Sequence, residues 1–516
     1  MNQTVKRTPS PQQASIFKFI QEGQGNAAID AKAGTGKTTT VVDALQYIPQ
    51  SKRVAFCAFS KAIVEELSSR VPSSVRLATL HSHGLWAVKK VYGRGVKIEA
   101  DKKAIICNPY IEQVLEGSDL EAEERAEFIT NVFKCISIGK QNLTHDPSEI
   151  TRLARKQGIE LVAHEAGCVK QCMIMLDARQ DIIDFDDMVY LPAAYSKFPI
   201  EQYDYLFVDE AQDMNKAQLA LVRKMFNPNR GGRLIAVGDP QQAIFGFAGS
   251  DEESFANITR LQNTQVLPLS VSYRCAKDII KYVRSITGVD IDYYDKSPLG
   301  SVNENASIQD IRDGHMVICR NTAPLVSLCM KFITEKKAAY IRGRDIGDML
   351  ANQIKKYVPK SAINEENGFE FLYSKIDADM KKLLNKLRLK GLTESQAVDS
   401  PAVVNLMDRK ECYMALRDDS KTPQEMIDNI TRIFNNSNNG GIQLTTAHRS
   451  KGLEAEHVHI VEDGLLHGNR VKNEFQKTQE NNLRYVAYTR AKKSLNIITD
   501  WEFYQKKHKN NNNDKR

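Results

Sequence analysis

The twelve residues AIDAKAGTGKTT (28–39) constrain this 516-residue chain more than any other stretch. A short apolar run, a loop containing Gly34 and Gly36, and a helix-forming segment that begins at Lys37 follow one another directly. Glycines let the backbone turn its amides inward, and a helix N-terminus adds partial positive charge, so such a loop cradles phosphates. Lys37 is expected to reach the β- and γ-phosphate oxygens of a nucleoside triphosphate, and Thr38 to offer its hydroxyl to Mg2+. Ala33, Gly34, Thr35, Gly36, Lys37, Thr38 and Thr39 are the candidate ATP-binding residues here. The general pattern opens on glycine, where this chain has Ala31.

A loop of this kind needs a buried parallel strand before it. Suitable β-branched runs recur at 26–31, 53–59, 205–210 and 233–239, each followed by a helical pattern. A second set occupies 266–273, 316–321, 442–448, 457–463 and 494–500. Two α/β domains are expected, and the length agrees, because single cores stop growing near 250 to 300 residues. Between the strand runs lie two charged stretches of helical period. The first domain is therefore expected over 1–89 and 185–265, with a helical insertion at 90–184. The second is expected over 266–349 and 440–505, with an insertion at 350–439 that ends in the polar run NNSNNGG. The tail 506–516 is polar and low in complexity, which predicts disorder.

Apolar residues make up 42% and charged residues 26%, with no apolar run of bilayer length, so no membrane span is expected. The N-terminus lacks the apolar stretch of a secretory signal. A soluble, intracellular setting follows, cytoplasmic (nucleoid) or nuclear, in which the nine cysteines stay free thiols. Cys168 and Cys172 form the closest pair, and no second pair at metal-ligand spacing accompanies it. Basic residues exceed acidic ones by 71 − 64 = 7, which suits a polyanionic partner without specifying one.

A second chemical feature is FVDEAQD (207–213), where an apolar strand delivers Asp209 and Glu210 at its carboxyl end. By analogy with other phosphate-loop hydrolases, Asp209 would hold Mg2+ and Glu210 would orient and deprotonate the attacking water.

With these in place, further segments resemble, in order, the motifs of the UvrD, PcrA and Rep group of superfamily 1 DNA helicases. SPQQ (10–13) is similar to the adenine-reading Q motif, with Gln13 at its glutamine. AFSKAIVEEL (58–67) and TLHSHG (79–84) resemble motifs Ia and Ib, and DEAQD resembles motif II. VGDPQQAIFGFAGS (237–250) resembles motif III, with Gln242 as the γ-phosphate sensor. SVSYR places Tyr273 on the adenine and Arg274 at the γ-phosphate. TTAHRSKGLEAEHV (445–458) places Glu454 at the ribose, and YVAYTRAKK (485–493) makes Arg490 the arginine finger. AFSK followed by TLHSHG is also similar to the F-box helicase branch. The likeness covers both α/β blocks and neither insertion.

The resemblance implies an α/β fold of two RecA-like domains with parallel sheets, each carrying a mainly helical insertion, and ATP with Mg2+ in the cleft between them. Lys37, Asp209, Glu210, Gln242, Arg274 and Arg490 would be catalytic, the two arginines because charge growing on the γ-phosphoryl must be met from outside the first domain. It further implies 3′→5′ movement on single-stranded DNA with duplex unwinding, at single-strand/double-strand junctions and in company with single-strand-binding or recombination proteins. Displacement of bound proteins with little unwinding, or ATP-switched DNA binding, are the alternatives. DNA contact is assigned to Phe59, His81, Phe245, Phe247, Thr446 and His448, since a motor needs stacking platforms more than base-edge readers. Ala248 and Thr39 stand where the family commonly has arginine, and the second insertion is short for the family.

Overall fold

The computed structural model describes residues 8–157, 159, 161, 163–244, 253–389, 392–398, 400–434, 440–461 and 474–500. The chain divides into two compact units, 1–270 and 271–516.

The first unit is built on a six-stranded sheet. Its strands are β1 (Asn26–Ala31), β2 (Val54–Ala58), β3 (Val75–Thr79), β4 (Tyr205–Val208), β5 (Arg233–Gly238) and β6 (Thr264–Leu269), in the order β3-β2-β4-β5-β1-β6. Every pairing is parallel. Parallel strands need crossovers, and the crossover helices cover both faces. Alternate residues accordingly enter two different cores. Ile29, Phe56, Phe207 and Ile235 pack on one face, and Ala28, Ala55, Leu206 and Leu234 on the other. That double burial is why the strands read as near-continuous apolar runs.

The apolar run at 266–273 proves to be divided between the units. Thr264–Leu269 pairs with β1 along its whole length, from Asn26↔Thr264 to Ala31↔Leu269. Val271–Ser272 instead pairs with Asp292–Tyr293 in the second unit. Ser270 separates the two pairings, with its N–H donating to Gln12 Oε1 (2.9 Å) and its Oγ accepting from Gln12 Nε2 (2.9 Å). Apolar periodicity registers burial but not which sheet supplies it.

The first helical stretch leaves and re-enters through a two-stranded ribbon, Lys97↔Ile182 and Ile98↔Ile183. Its helices Lys102–Leu115, Ala122–Asn142, Pro147–Lys156 and Ala163–Ala178 bury a core of their own around Ile111, Val132, Ile136 and Val169.

The second unit has a parallel sheet of β7 (Ser301–Ala306), β8 (Met316–Cys319), β9 (Ala339–Ile341), β10 (Ile442–Thr446), β11 (Ala455–Val461) and β12 (Ala491–Ile498). Their order is β7-β12-β11-β8-β10-β9. Here most of the inserted helices share the core of the sheet, with Leu350, Leu372, Leu416 and Ile430 in one apolar cluster with Val317 and Leu444, while Leu387, Ala397 and Val403 form a small cluster of their own. One parallel sheet in each unit is the architecture of two RecA-like domains. The nine cysteines are all buried free thiols. Among the described residues no helix is long and apolar enough to cross a membrane. The tail 506–516 and most of the NNSNNGG run lie outside the described residues.

Candidate active site

The loop after β1 reaches the helix α2 (Lys37–Ala44) through Gly34 and Gly36, at φ 73° and 78°. Open space surrounds the position of a Cβ on Gly36, so the left-handed backbone itself is what calls for glycine there. No side chain caps α2, which leaves its first amides directed at whatever anion the loop holds. The buried Thr35 braces the loop by donating from Oγ1 to Lys32 O (2.8 Å).

Four of the sequence candidates meet in two pairs. Thr38 Oγ1 donates to Asp209 Oδ2 at 2.9 Å, and Lys37 Nζ lies 3.7 Å from Glu210 Oε1. Asp209 follows β4, and its own N–H donates to Cys57 O of β2 (3.1 Å), which fixes the acid at the carboxyl edge of the sheet. Burial, and then the neighbouring Glu210 carboxylate, push the Asp209 carboxyl up to about 6, although Lys37 and Thr38 pull against the shift. A hydroxyl and a buried carboxylate with negative charge in excess form a hard-oxygen donor set that fits Mg2+.

Glu210 sits in the left-handed region at φ 50°, a conformation that costs a non-glycine residue about 1–2 kcal/mol. The strain is held by contacts beyond the strand end. Gln212 Nε2 donates to Glu210 Oε2 (2.6 Å), and Gln212 Oε1 accepts from Asp239 N (3.0 Å). Asp239 Oδ2 in turn accepts from Gln242 Nε2 (2.6 Å). A hydrogen-bonded chain therefore joins Glu210 to Gln242 across two neighbouring strands. Sequence reading missed Gln212, whose signal was its place two residues after Glu210 in DEAQD.

Gln13 lies beside the loop on α1 (Pro11–Glu22), with Oε1 accepting from Ser10 N (2.9 Å) and Nε2 donating to Thr40 Oγ1 of α2 (3.0 Å). Thr39 Oγ1 accepts from Arg70 (3.2 Å). An arginine thus reaches the position after Thr38 from another part of the chain.

Phe59 and His81 line one small cavity together with Cys57, Asp209, Met214 and Gln218. Phe59 is 48% exposed one residue beyond β2. Burial keeps the His81 imidazole below its usual range, and Asp186 partly offsets that. The Asp186 neighbourhood exposes a residue that sequence reading missed, Phe185, which is 60% exposed at the start of the helix Phe185–Ala194. Phe245, Phe247 and Ala248 lie outside the described residues.

In the second unit Arg274 Nε pairs with Glu454 Oε2 (2.9 Å), and Lys492 Nζ pairs with Glu454 Oε1 (2.5 Å). Burial raises the Glu454 carboxyl, but the two cations outweigh it and hold the group below its usual range. Arg490 is 1% exposed, and its guanidinium donates to Val486 O (2.8 Å), Leu453 O (3.2 Å) and Thr489 Oγ1 (3.1 Å). The segments of Arg274, Glu454 and Arg490 thus converge. Tyr273 is 42% exposed, with its ring 5.0 Å from that of Tyr294. Thr446 ends β10, two residues before His448. Burial and then Arg320 push that imidazole down to about 3, so it is neutral.

Two family models cover nearly the whole chain. That of the UvrD/REP helicase N-terminal domain matches residues 11–263, and that of the UvrD-like helicase C-terminal domain matches 201–501. F-box DNA helicase protein 1 of Schizosaccharomyces pombe is 24% identical over 94% of this chain and 57% of its own length. ATP-dependent DNA helicase Rep of Buchnera aphidicola is 22% identical over 93% of this chain and 90% of its own. Gabija protein GajB of Bacillus cereus is 23% identical over 94% and 95%. The chain thus spans little more than half of the yeast F-box protein and nearly all of the other two.

Proposed function

Because the chain belongs to the UvrD-like helicase family, we propose that it is an ATP-driven DNA helicase moving 3′→5′ on single-stranded DNA and unwinding duplex ahead of it. The observation that carries the ATPase half is the contact of Thr38 with Asp209 beside the Lys37–Glu210 pair. Those four side chains are the ones that phosphoryl transfer to water requires.

In this reading Lys37 exchanges Glu210 for a γ-phosphate oxygen when ATP binds. Glu210, released from the lysine but still held by Gln212, orients the attacking water and takes its proton. Thr38 and Asp209 would hold Mg2+, which would supply positive charge to the phosphates. Gln242 reports the γ-phosphate to Glu210 through Asp239 and Gln212. Arg274 and Arg490 supply positive charge to the transition state, Arg490 after leaving its carbonyl contacts. Gln13, Tyr273 and Glu454 are assigned to the adenosine.

Phe59 and His81 share a cavity wall with Asp209, which supports a DNA track adjoining the catalytic carboxylates. We extend that track to Phe185, an exposed aromatic next to the acid that His81 senses. Phe245, Phe247, Thr446 and His448 complete it on the family likeness. ATPase assays with and without single-stranded DNA test this function. The wild-type chain should be stimulated by DNA, and Glu210→Gln should bind nucleotide without turning it over. Equal rates with and without DNA, or substantial hydrolysis by Glu210→Gln, would refute the assignment.

A further inference from the structure

Phe185 projects from one of the most heavily charged buried clusters in the first unit. Lys102 and Lys140, both 0% exposed, come from two helices of the insertion and converge on one carboxylate. Lys102 Nζ donates to Asp187 Oδ2 (2.7 Å) and to Leu176 O (3.0 Å). Lys140 Nζ donates to Asp187 Oδ1 (2.6 Å) and reaches Asp184 Oδ2 at 3.3 Å. Asp184 and Asp187 bond each other's backbone amides in a capping box, Asp187 N to Asp184 Oδ1 (2.8 Å) and Asp184 N to Asp187 Oδ2 (3.2 Å). Lys103 then pairs with Asp186 (2.7 Å), which also accepts from Ser137 (2.6 Å).

Three lysines thus balance three aspartates, and the aspartates occupy 184, 186 and 187. The residue they enclose, Phe185, is left pointing outward. Well-packed apolar side chains of similar volume usually stabilise a fold as well as a buried ion network does, so a cluster like this adds direction more than stability. What it directs is a single turn of backbone, fixed from two of the four insertion helices.

We infer that Lys102, Lys103 and Lys140 are positioning residues for DNA binding, locking the 184–187 turn so that Phe185 is presented to a base of single-stranded DNA. The inference rests on the reading of Phe185 as a DNA contact given above. It gives the helical insertion a task in DNA binding that needs no DNA contact of its own.

The test is a double-mutant cycle in the full chain, reading the oligo(dT) concentration that half-saturates the ATPase. A stacked base is worth about 1–3 kcal/mol, so Phe185→Ala should raise that concentration about 5- to 150-fold. Lys140→Met should raise it by a similar factor, and the pair together no further than either alone. If Phe185→Ala changes nothing, the DNA-contact reading fails and the inference with it. If Phe185→Ala weakens binding but Lys140→Met leaves the half-saturating concentration unchanged, or multiplies the effect independently, only the inference is overturned. A fall in plateau rate at constant half-saturation would likewise reduce Lys140 to a structural residue and overturn it. Should Lys140→Met fail to fold, Lys103→Met decides the matter, because that lysine is partly exposed: weakened oligo(dT) binding at unchanged melting temperature supports the inference, and unchanged binding overturns it.

Discussion

Gln212→Ala is the substitution that separates positioning from charge in this site. The Gln212 side chain is 2% exposed and fully engaged, donating to Glu210 (2.6 Å) and to Asp213 (3.2 Å) and accepting from Asp239 N (3.0 Å). Alanine leaves the Asp239 amide buried without that acceptor, a loss of about 1–3 kcal/mol in stability. It also removes the hydrogen bond that Gln212 Nε2 gives to the Glu210 carboxylate. A catalytic group misplaced by about 1 Å loses on the order of 10²-fold in rate. DNA-stimulated turnover should therefore fall about 100-fold, with nucleotide affinity nearly unchanged because the loop at 31–38 is untouched. Gly238→Ala approaches the same point from the other side, since its Cβ would lie 2.5 Å from Gln212 Oε1. It should slow turnover in the same sense. Steady-state ATPase, nucleotide titration and thermal melting together decide the question. Near-normal turnover in Gln212→Ala at a reduced melting temperature would refute the positioning role and leave Gln212 a packing residue.

Arg490→Ala should cut turnover by roughly 10³- to 10⁵-fold and nucleotide affinity far less; a loss confined to affinity would make Arg490 a binding residue. Single-strand affinity should fall steadily with rising salt, as displaced counterions require, and a flat response in a salt titration would mean that the basic excess is not used on DNA. The second unit should lose stability on acidification. His459 Nε2 lies 2.9 Å from His315 Nδ1, which also accepts from Arg312 N, so the pair is built to be neutral. Burial, then His315, push His459 down to about 3, while Asp310 opposes and His457 and Arg312 assist. An unfolded imidazole titrates near 6.5, so this contribution is complete above that pH and is lost as pH falls toward 3. His459→Asn should flatten melting temperature against pH in that window, and an unchanged slope would remove the pair from the account.

The arrangement of the candidate site in the first unit was legible in the sequence because it is local. Phosphate cradling needs consecutive residues, and Lys37, Thr38, Asp209 and Glu210 each follow a strand whose apolar run marks its end. What was not legible depended on the third dimension. The run at 266–273 gave no sign of dividing at Ser270, since both halves are apolar and only their partners differ. Gln212 was hidden because its role is to tie Glu210, on its own segment, to Asp239 at the end of the neighbouring strand. Phe185 was hidden because a phenylalanine in IIDFDDM reads as core, and only the buried lysines around its neighbours explain why it points outward.

Strand displacement is the most direct test of the central claim. With ATP and Mg2+, the chain should release the labelled strand from a duplex bearing a 3′ single-stranded tail, leave a 5′-tailed duplex and a blunt duplex intact, and do nothing in the Glu210→Gln form. Displacement of the 5′-tailed duplex alone would contradict the proposed direction. No displacement from any tailed duplex, despite DNA-stimulated ATP turnover, would contradict unwinding itself.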